Sequence, residues 1–227
     1  AIEAFTNVLN AGNVNKTLAR DLYIYRATAR LKAGHTEDAM ADCQVLAQQY
    51  EMDADSYFLT GKIALKMDAY DEAAANFEQS YKADSTYDRA IQIYGAYLEK
   101  DMEADGTRYL EAALSGTAKN AQDHYDRGRV YYYMEDYDNA ADELKKAIDS
   151  DNTEALALLG MVYMDQGDSE NARTMFQKYV SQADNGAKGF NGLALCDMEA
   201  GDYDSALSNI TSGIQTADGE EMQSLLF

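Results

Sequence analysis

A pair of small residues about twelve positions apart recurs along the chain and constrains its fold more than any other feature. Five pairs are twelve residues apart, one is eleven apart, and their first members follow one another at intervals of 32 to 34 residues. The pairs are Ala27/Ala39, Gly61/Ala73, Gly95/Gly106, Gly128/Ala140, Gly160/Ala172 and Ala194/Ala206. A period of this length is typical of proteins built from stacked repeats of one supersecondary unit.

The residues around each pair predict a helical hairpin. Large or apolar residues follow the second small residue at steps of four, which places them on one face of a helix. Between the two small residues stand Gly and Asp, as in EAGDYDSA at 199–206, which end one helix and cap the next. Two antiparallel helices joined by so short a turn must approach closely, and Gly or Ala at the crossing point permits this. The sequence therefore predicts an all-α fold.

With this spacing the chain resembles the tetratricopeptide repeat family. The fifth unit carries the resemblance best, with Leu156, Leu159, Gly160, Tyr163, Gly167, Ala172, Phe176 and Tyr179 at the signature positions of the family. The aromatic residue of the first signature position occurs in three units only, and the chain contains no proline to close a unit. The resemblance implies a right-handed α-solenoid of antiparallel helical hairpins.

The register predicts one array over residues 1–227. Its parts are a partial repeat helix and linker at 1–19, six repeats at 20–53, 54–87, 88–120, 121–152, 153–186 and 187–220, and the start of a truncated further repeat at 221–227. Terminal repeats normally carry a polar outer face, whereas the last residues, EMQSLLF, are largely apolar. We therefore expect the native protein to extend beyond at least one end.

Composition excludes several classes of function. The formal net charge is −21, which argues against nucleic acid or an anionic membrane as a partner, because both are bound by clustered Lys and Arg. No run approaches the 18 or so apolar residues of a membrane span, so we expect no direct membrane insertion. No glycine-rich phosphate loop, nucleophile elbow or Cys/His pair is present. We therefore predict neither an enzyme nor a cofactor.

Cysteine and histidine usage predicts no metal site. Cys43 and Cys196 are the only cysteines and belong to repeats far apart in the array, so a disulfide between them is not expected. His35 and His124 are the only histidines, and neither has a cysteine or a second histidine nearby in the sequence. A zinc site of the His/Cys type is therefore excluded.

The resemblance also implies a binding groove, because five positions on the first helix of each repeat tend to face the concave side of such an array. The 30 corresponding positions carry seven basic and six acidic residues, so their net charge is +1 although the whole chain has −21. The cations and aromatics that we single out in repeats two to four are Phe58, Lys62, Lys66, Arg89, Tyr125, Arg129 and Tyr132. They favour an acidic or carboxylate-bearing extended peptide as the ligand. The alternative is that crowding between repeats merely keeps this face less acidic.

The predicted function is a non-enzymatic protein-interaction scaffold that binds an extended peptide or a partner helix. Two further alternatives stay open at this point. One is an assembly factor of the bacterial envelope or surface, which would be exported or lipid-anchored, alongside a cytoplasmic location. The other is the sensor part of a peptide-responsive regulator. Ile24, Thr28, Phe58 and Lys62 stand at the early groove positions, so the pattern does not match the carboxylate clamp of chaperone-binding relatives.

Overall fold

The computed structural model describes residues 1–217, and all regular secondary structure within them is α-helical. The helices are α1 (Ile2–Asn10), α2 (Lys16–Lys32), α3 (Thr36–Gln49), α4 (Ala54–Lys66), α5 (Tyr70–Ala83), α6 (Tyr87–Leu98), α7 (Glu103–Leu114), α8 (Ala121–Tyr133), α9 (Tyr137–Ile148), α10 (Glu154–Asp165), α11 (Ser169–Gln182), α12 (Ala187–Glu199) and α13 (Tyr203–Thr216). The predicted all-α helical-repeat fold is confirmed. The predicted further repeat at 221–227, and residues 218–220 of the sixth repeat, lie outside the described residues.

The chain forms two compact units, which divide between Ala113 and Leu114. In unit 1, α1 packs on α2, and the hairpins α2–α3 and α4–α5 are followed by α6 and α7. In unit 2, α8–α9, α10–α11 and α12–α13 are hairpins, and each packs on the next through the second helix of one and the first helix of the other. The second helix of each hairpin is therefore covered on one face by the following repeat, except for α13 among the described helices of unit 2.

Glycine lets the two helices of a hairpin approach closely in repeats two, four and five. A Cβ atom added to Gly61 would lie 2.7 Å from the ring of Phe77, and one added to Gly160 would lie 2.5 Å from the ring of Phe176. Gly128 has the same relation to a leucine of α9. Because unbonded carbon atoms prefer about 3.5–4.0 Å, no larger residue fits without displacement of the neighbour. The predicted reason for small residues at these positions is confirmed.

The third repeat is offset by one residue from the sequence-based register. A Cβ atom on Gly95 would meet nothing within 4 Å, whereas one on Gly106 would lie 3.0 Å from Tyr94 Cα. The pair at the crossing point is therefore Tyr94 and Gly106, which are again twelve residues apart. The first helix therefore carries a large residue at the crossing point, where the other repeats carry Gly or Ala, and Gly106 of the second helix makes room for it. The assignment of Gly95 to the crossing point is wrong for this reason.

The turns within the hairpins share one backbone conformation. One residue in each of the six turns has positive φ, and the residues are Gly34, Asp68, Asp101, Glu135, Gly167 and Gly201. In unit 2 an aspartate follows each of these residues and caps the second helix, as when Asp168 accepts a hydrogen bond from the Asn171 backbone N–H at 3.1 Å. This bonding keeps the pKa of Asp168 below its ordinary value. The predicted aspartate caps are thus present in unit 2.

Candidate functional site

The residues predicted to bind a ligand are divided between the two units, and each set is described by itself. Phe58, Lys62, Lys66 and Arg89 belong to unit 1, whereas Tyr125, Arg129 and Tyr132 belong to unit 2. The register places all of them on the first helices of their repeats, α4, α6 and α8.

In unit 1 the predicted cations surround the ring of Phe58. The Lys62 ammonium lies 5.8 Å from the centre of this ring, and the Arg89 guanidinium lies 5.2 Å from it. The Phe58 ring also packs near the ring of Phe77, with ring centres 5.8 Å apart. Cations at such distances gain from the negative face of an aromatic ring, so the cluster stabilises the contact between α4 and its neighbours.

The predicted cations of unit 1 are paired with acidic side chains of the same unit. Lys62 and Lys66 share one carboxylate, that of Glu99, at 3.4 and 3.6 Å. Arg89 pairs with Asp55, and also with Asp84 at 3.4 Å. These carboxylates reduce the positive charge that unit 1 offers to an acidic ligand, although Lys62 and Lys66 have only one carboxylate between them.

Arg89 is buried, with 6% of its surface exposed. The one-residue offset of the third repeat explains this, because Arg89 corresponds to the buried Ser56 of the second repeat and not to a groove position. The expectation that Arg89 offers its charge to a ligand is therefore wrong. Its guanidinium is held by carboxylates and by Gln92 Oε1 at 3.0 Å, so Arg89 has a structural role.

In unit 2 the predicted residues form a half-buried aromatic surface. The Arg129 guanidinium lies 5.8 Å from the centre of the Tyr125 ring and donates to Asp126 Oδ1 at 2.9 Å. Burial raises the pKa of Tyr125. Burial, together with a hydrogen bond to the Asp165 carboxylate, also raises the pKa of Tyr132. Both tyrosines are therefore neutral groups at physiological pH, available for packing rather than for proton transfer.

A cavity of about 290 Å³ opens beside Tyr125, and it lies entirely within unit 2. Its lining comes from α8, α10, α11 and α12, and the residues are Tyr125, Glu154, Ala157, Leu158, Met161, Phe176, Lys188, Asn191 and Gly192. We call it the Phe176 pocket, because the buried ring of Phe176 lies between Gly160 and Gly192 and contributes to its lining. Apolar and polar groups both contribute to this lining, the apolar ones slightly more.

The charged or amide side chains of Glu154, Lys188 and Asn191 line the same pocket. Lys188 Nζ donates to Glu154 Oε2 at 2.8 Å, and the Tyr179 hydroxyl donates to Glu154 Oε1 at 2.8 Å. Asn191 lines the pocket beside Gly192 and carries both a donor and an acceptor. The pocket thus combines an apolar interior with groups able to hydrogen-bond a peptide backbone.

Most residues that line this pocket stand at predicted groove positions, but the sequence pattern did not mark them as a pocket. Tyr125, Glu154, Ala157, Met161, Lys188 and Asn191 all stand at groove positions of the register. Repeats two to four were predicted to bind the ligand because of their positive charge. Charge does not indicate where the surface forms a pocket. The signal that could have found it is the pair Gly189 and Gly192 in α12, since a Cβ on Gly189 would lie 2.6 Å from Val180 and Gly192 is in contact with Phe176.

Both cysteines are buried free thiols, Cys43 in unit 1 and Cys196 in unit 2. Burial raises the pKa of Cys43 to about 11. At pH 8 its thiolate fraction is then about two orders of magnitude below that of an exposed cysteine. We therefore expect a thiol reagent to modify Cys43 at least that much more slowly in the native protein than in the unfolded chain. Mass spectrometry of the labelled peptides measures this, and equal rates in the two states would contradict the burial of Cys43.

Two kinds of feature are missing from the part of the chain that the structure describes, a cluster of metal-ligating side chains and a membrane-spanning helix. Among residues 1–217 no three His, Cys, Asp or Glu side chains cluster so that they could hold a metal ion. In the same part of the chain, none of the helices combines the length and apolar character needed to cross a bilayer.

Helical hairpins repeated along the chain, with a pocket between their first helices, define a helical-repeat protein. Residues 54–87 and 125–188 match sequence profiles of the tetratricopeptide repeat. These two segments are tetratricopeptide repeats, and proteins built from this repeat are generally non-enzymatic scaffolds for protein–protein interaction.

Solved structures show the same fold. A tetratricopeptide repeat protein from Parabacteroides merdae aligns with all of this chain and 90% of its own length, at a TM-score of 0.62 and 10% identity. The C-terminal part of a repeat-containing protein from Cytophaga hutchinsonii aligns with all of this chain and 93% of its own length, at a TM-score of 0.57 and 20% identity. A comparison with curated protein sequences found no significant match. At such identities the structural likeness concerns the fold alone.

Proposed function

We propose that the protein is an interaction scaffold that holds an extended peptide segment by a bulky apolar side chain inserted into the Phe176 pocket. The observation that carries this proposal is the pocket itself. Most of its lining positions on α8, α10 and α12 are those that the repeat register assigns to the groove, and Ala157, Leu158, Met161 and Phe176 give it an apolar side. Buried apolar anchors of this kind dominate the energy of protein interfaces.

The size of the pocket favours a side chain over a cofactor. Pockets for small molecules usually measure about 300–1,000 Å³, and this one, at about 290 Å³, lies at the lower limit. Its polar groups are few, and Glu154 is already engaged by Lys188 and Tyr179. A small pocket with an apolar side formed by Ala157, Leu158, Met161 and Phe176 suits one large aliphatic or aromatic residue of a peptide.

The face around the pocket continues with adaptable apolar groups. Asn191, Leu195 and Met198 are spaced so that they share one face of α12, and Met198 is exposed. Met161 lies inside the pocket on α10. Methionine is unbranched and polarizable, so such surfaces adapt to side chains of different shape. We therefore expect a ligand defined by one apolar anchor and tolerant at neighbouring positions.

The ion pairs weaken the earlier expectation of an acidic ligand. Lys62 and Lys66 are bound to Glu99 in unit 1, and Arg129 is bound to Asp126 in unit 2. Exposed pairs of this kind contribute only about 0–1 kcal/mol, but a ligand carboxylate would gain little by replacing one carboxylate with another. The proposal therefore rests on apolar contact.

The test selects binders from a phage-displayed random peptide library and measures their affinity for variants. Ala157→Phe places a large ring in the pocket, on a residue that is only half-buried, so the fold should persist. We expect it to weaken the selected peptides by about tenfold or more, since it displaces an anchor that provides much of the binding energy.

The matched control is Ala41→Phe, which introduces the same ring at an exposed position on α3 in unit 1. It should leave affinity unchanged. A second comparison is the double variant Lys66→Glu/Arg129→Glu, for which we expect a small effect. Selection of acidic peptides that bind Ala157→Phe normally and lose affinity for the charge-reversed variant would overturn the apolar-anchor proposal in favour of an acidic ligand.

A further inference from the structure

Three tyrosine rings lie together where α8 turns into α9, at the end of α8 away from the Phe176 pocket. The centre of the Tyr132 ring is 6.1 Å from that of Tyr133 and 6.0 Å from that of Tyr137. Tyr132 and Tyr137 are half-buried and pack on the core of unit 2, whereas Tyr133 is 40% exposed. We call these three residues the tyrosine cluster. It belongs to the core on one side and meets solvent on the other.

Carboxylates lie beside the tyrosine cluster. Asp165, an exposed residue at the end of α10, accepts a hydrogen bond from the Tyr132 hydroxyl. Burial raises the pKa of Tyr137, and so do the nearby charges of Asp165 and Glu135. Two acidic side chains from different turns therefore converge on the same rings.

These carboxylates are not compensated by a cation. Within residues 1–217, neither Asp165 nor Glu135 forms an ion pair. The segments on either side, YYYMEDYD at 131–138 and MDQGD at 164–168, contain five acidic residues and no Lys or Arg. Residues 218–227 contain no Lys, Arg or His either. The positive charge that would balance this site must therefore come from a ligand.

The protein itself shows which chemical group suits such a site. At the other end of α8, the Arg129 guanidinium lies 5.8 Å from the centre of the Tyr125 ring and donates to the Asp126 carboxylate at 2.9 Å. Tyr132 and Asp165 offer the same combination of ring and carboxylate, but no cation of the described residues occupies it. The negative face of an aromatic ring attracts a cation within about 6 Å of its centre.

Arginine fits this combination better than lysine or a metal ion. Its planar guanidinium stacks on an aromatic ring and donates parallel hydrogen bonds to a carboxylate. An ammonium group is more strongly hydrated, and a hydrated metal ion gains little from the rings.

The tyrosine cluster and the Phe176 pocket lie on the same face of their helices. Tyr125, which lines the pocket, and Tyr132 are seven residues apart on α8, so they share one face and are separated by about 10.5 Å along the axis. Glu154 and Asp165 stand near opposite ends of one face of α10 in the same way. An extended chain advances about 3.3–3.6 Å per residue. A peptide anchored in the pocket therefore needs about three residues to reach the cluster.

We infer that the tyrosine cluster binds an arginine side chain of the peptide, about three positions away from the apolar anchor. This inference rests on the proposed function, because the anchor sets the distance. It replaces the acidic ligand expected from the sequence with a basic one. A net charge of −21 also steers a basic segment towards the protein.

The affinities of four capped hexapeptides for the full chain test this inference. Acetyl-Ala-Phe-Ala-Ala-Arg-Ala-amide and acetyl-Ala-Arg-Ala-Ala-Phe-Ala-amide carry the anchor and the arginine in the two possible chain directions. Each has a partner peptide with glutamine in place of arginine. Calorimetric titration at about 0.15 M salt limits general attraction to the acidic protein. We expect the arginine peptide of one direction to bind about tenfold more tightly than its glutamine partner.

Two asparagine variants locate the effect. Asp165→Asn removes a carboxylate from the cluster and keeps the size of the side chain, so we expect it to weaken the arginine peptide by about threefold or more. It should leave the glutamine peptide unchanged. The matched control is Asp142→Asn, the same replacement at an exposed position on α9, which alters the net charge equally. It should leave both peptides unchanged, and circular dichroism confirms that both variants keep their helices.

Two results would overturn the inference. One is equal binding of the arginine and glutamine peptides in both directions. The other is an arginine preference that Asp165→Asn and Asp142→Asn reduce equally, since this would be general attraction to an acidic protein. Failure of the proposed function looks different, because the glutamine peptides would then bind the Ala157→Phe variant as well as the parent. Absence of binding by all four peptides would overturn both.

Discussion

Replacing Gly160 with leucine is expected to lower the free energy of unfolding of unit 2 by about 1–3 kcal/mol or more, which is the usual cost of overpacking a core. A Cβ atom at this position would lie 2.5 Å from the ring of Phe176. Gly192 is in contact with the ring as well, which restricts its movement on that side. The added side chain must therefore separate α10 from α11 or displace the ring.

Urea denaturation followed by circular dichroism measures this effect, and two alanine variants calibrate it. The sequence suggests that Gly160 tolerates alanine, but the structure revises this expectation, because the Cβ atom alone is too close to Phe176. Gly160→Ala should therefore destabilise unit 2. Gly95→Ala should be neutral or stabilising, by up to about 1 kcal/mol, since a Cβ there meets nothing within 4 Å. Equal effects of the two alanine variants would contradict the close approach in the fifth repeat.

Replacing Asp42 with alanine is expected to destabilise unit 1 by about 3 kcal/mol, because removing one partner of a buried ion pair leaves the other charges without compensation. The carboxylate of Asp42 is buried and binds two guanidinium groups. Arg26 donates to it at 2.6 and 3.1 Å, and Arg30 donates to it at 2.6 Å. Arg26 also donates to the Thr6 hydroxyl at 3.1 Å, so the network joins α1, α2 and α3.

The control for this variant is Asp142→Ala, which removes an exposed aspartate from the middle of α9. It should change stability by less than about 0.5 kcal/mol, as surface substitutions usually do. Thermal and urea unfolding of both variants give the comparison. A loss of less than about 1 kcal/mol for Asp42→Ala would mean that the two arginines find other partners or water, and that the network does not hold α1 in place.

The hairpins could be predicted from the sequence because one spacing determines them. A separation of twelve residues between two small positions fixes where two helices cross, and this holds for Gly61, Gly128 and Gly160. The third repeat could not be placed correctly from the sequence. Its glycine at the expected position, Gly95, does not lie where the two helices cross. The preceding residue, Tyr94, lies there instead. Only the packing of Gly106 against Tyr94 reveals that a large residue stands at this crossing.

The candidate site was predicted less well, for a physical reason. A sequence shows where charges are, but it does not show which of them are paired. Glu99 binds both Lys62 and Lys66, and Arg89 is buried, so the positive face predicted for unit 1 is largely neutralised. A pocket, in contrast, depends on side chains that are absent, and the small residues Ala157 and Gly192 carry no chemical signal that a charge pattern detects.

The central claim is that the Phe176 pocket binds a bulky apolar side chain, and the methyl group of Met161 reports on it directly. Selective isotope labelling of the methionine methyl groups makes each visible by nuclear magnetic resonance. Met161 lines the pocket, and Met67 is an exposed reference in unit 1. The probes are two capped tripeptides, acetyl-Ala-Phe-Ala-amide and acetyl-Ala-Glu-Ala-amide.

We expect the phenylalanine peptide to shift the Met161 signal to saturation, to leave Met67 unchanged, and to lose its effect in the Ala157→Phe variant. The glutamate peptide should have little effect on Met161. A Met161 signal that does not move at high concentrations of the phenylalanine peptide, or that moves equally with both peptides, would contradict the account.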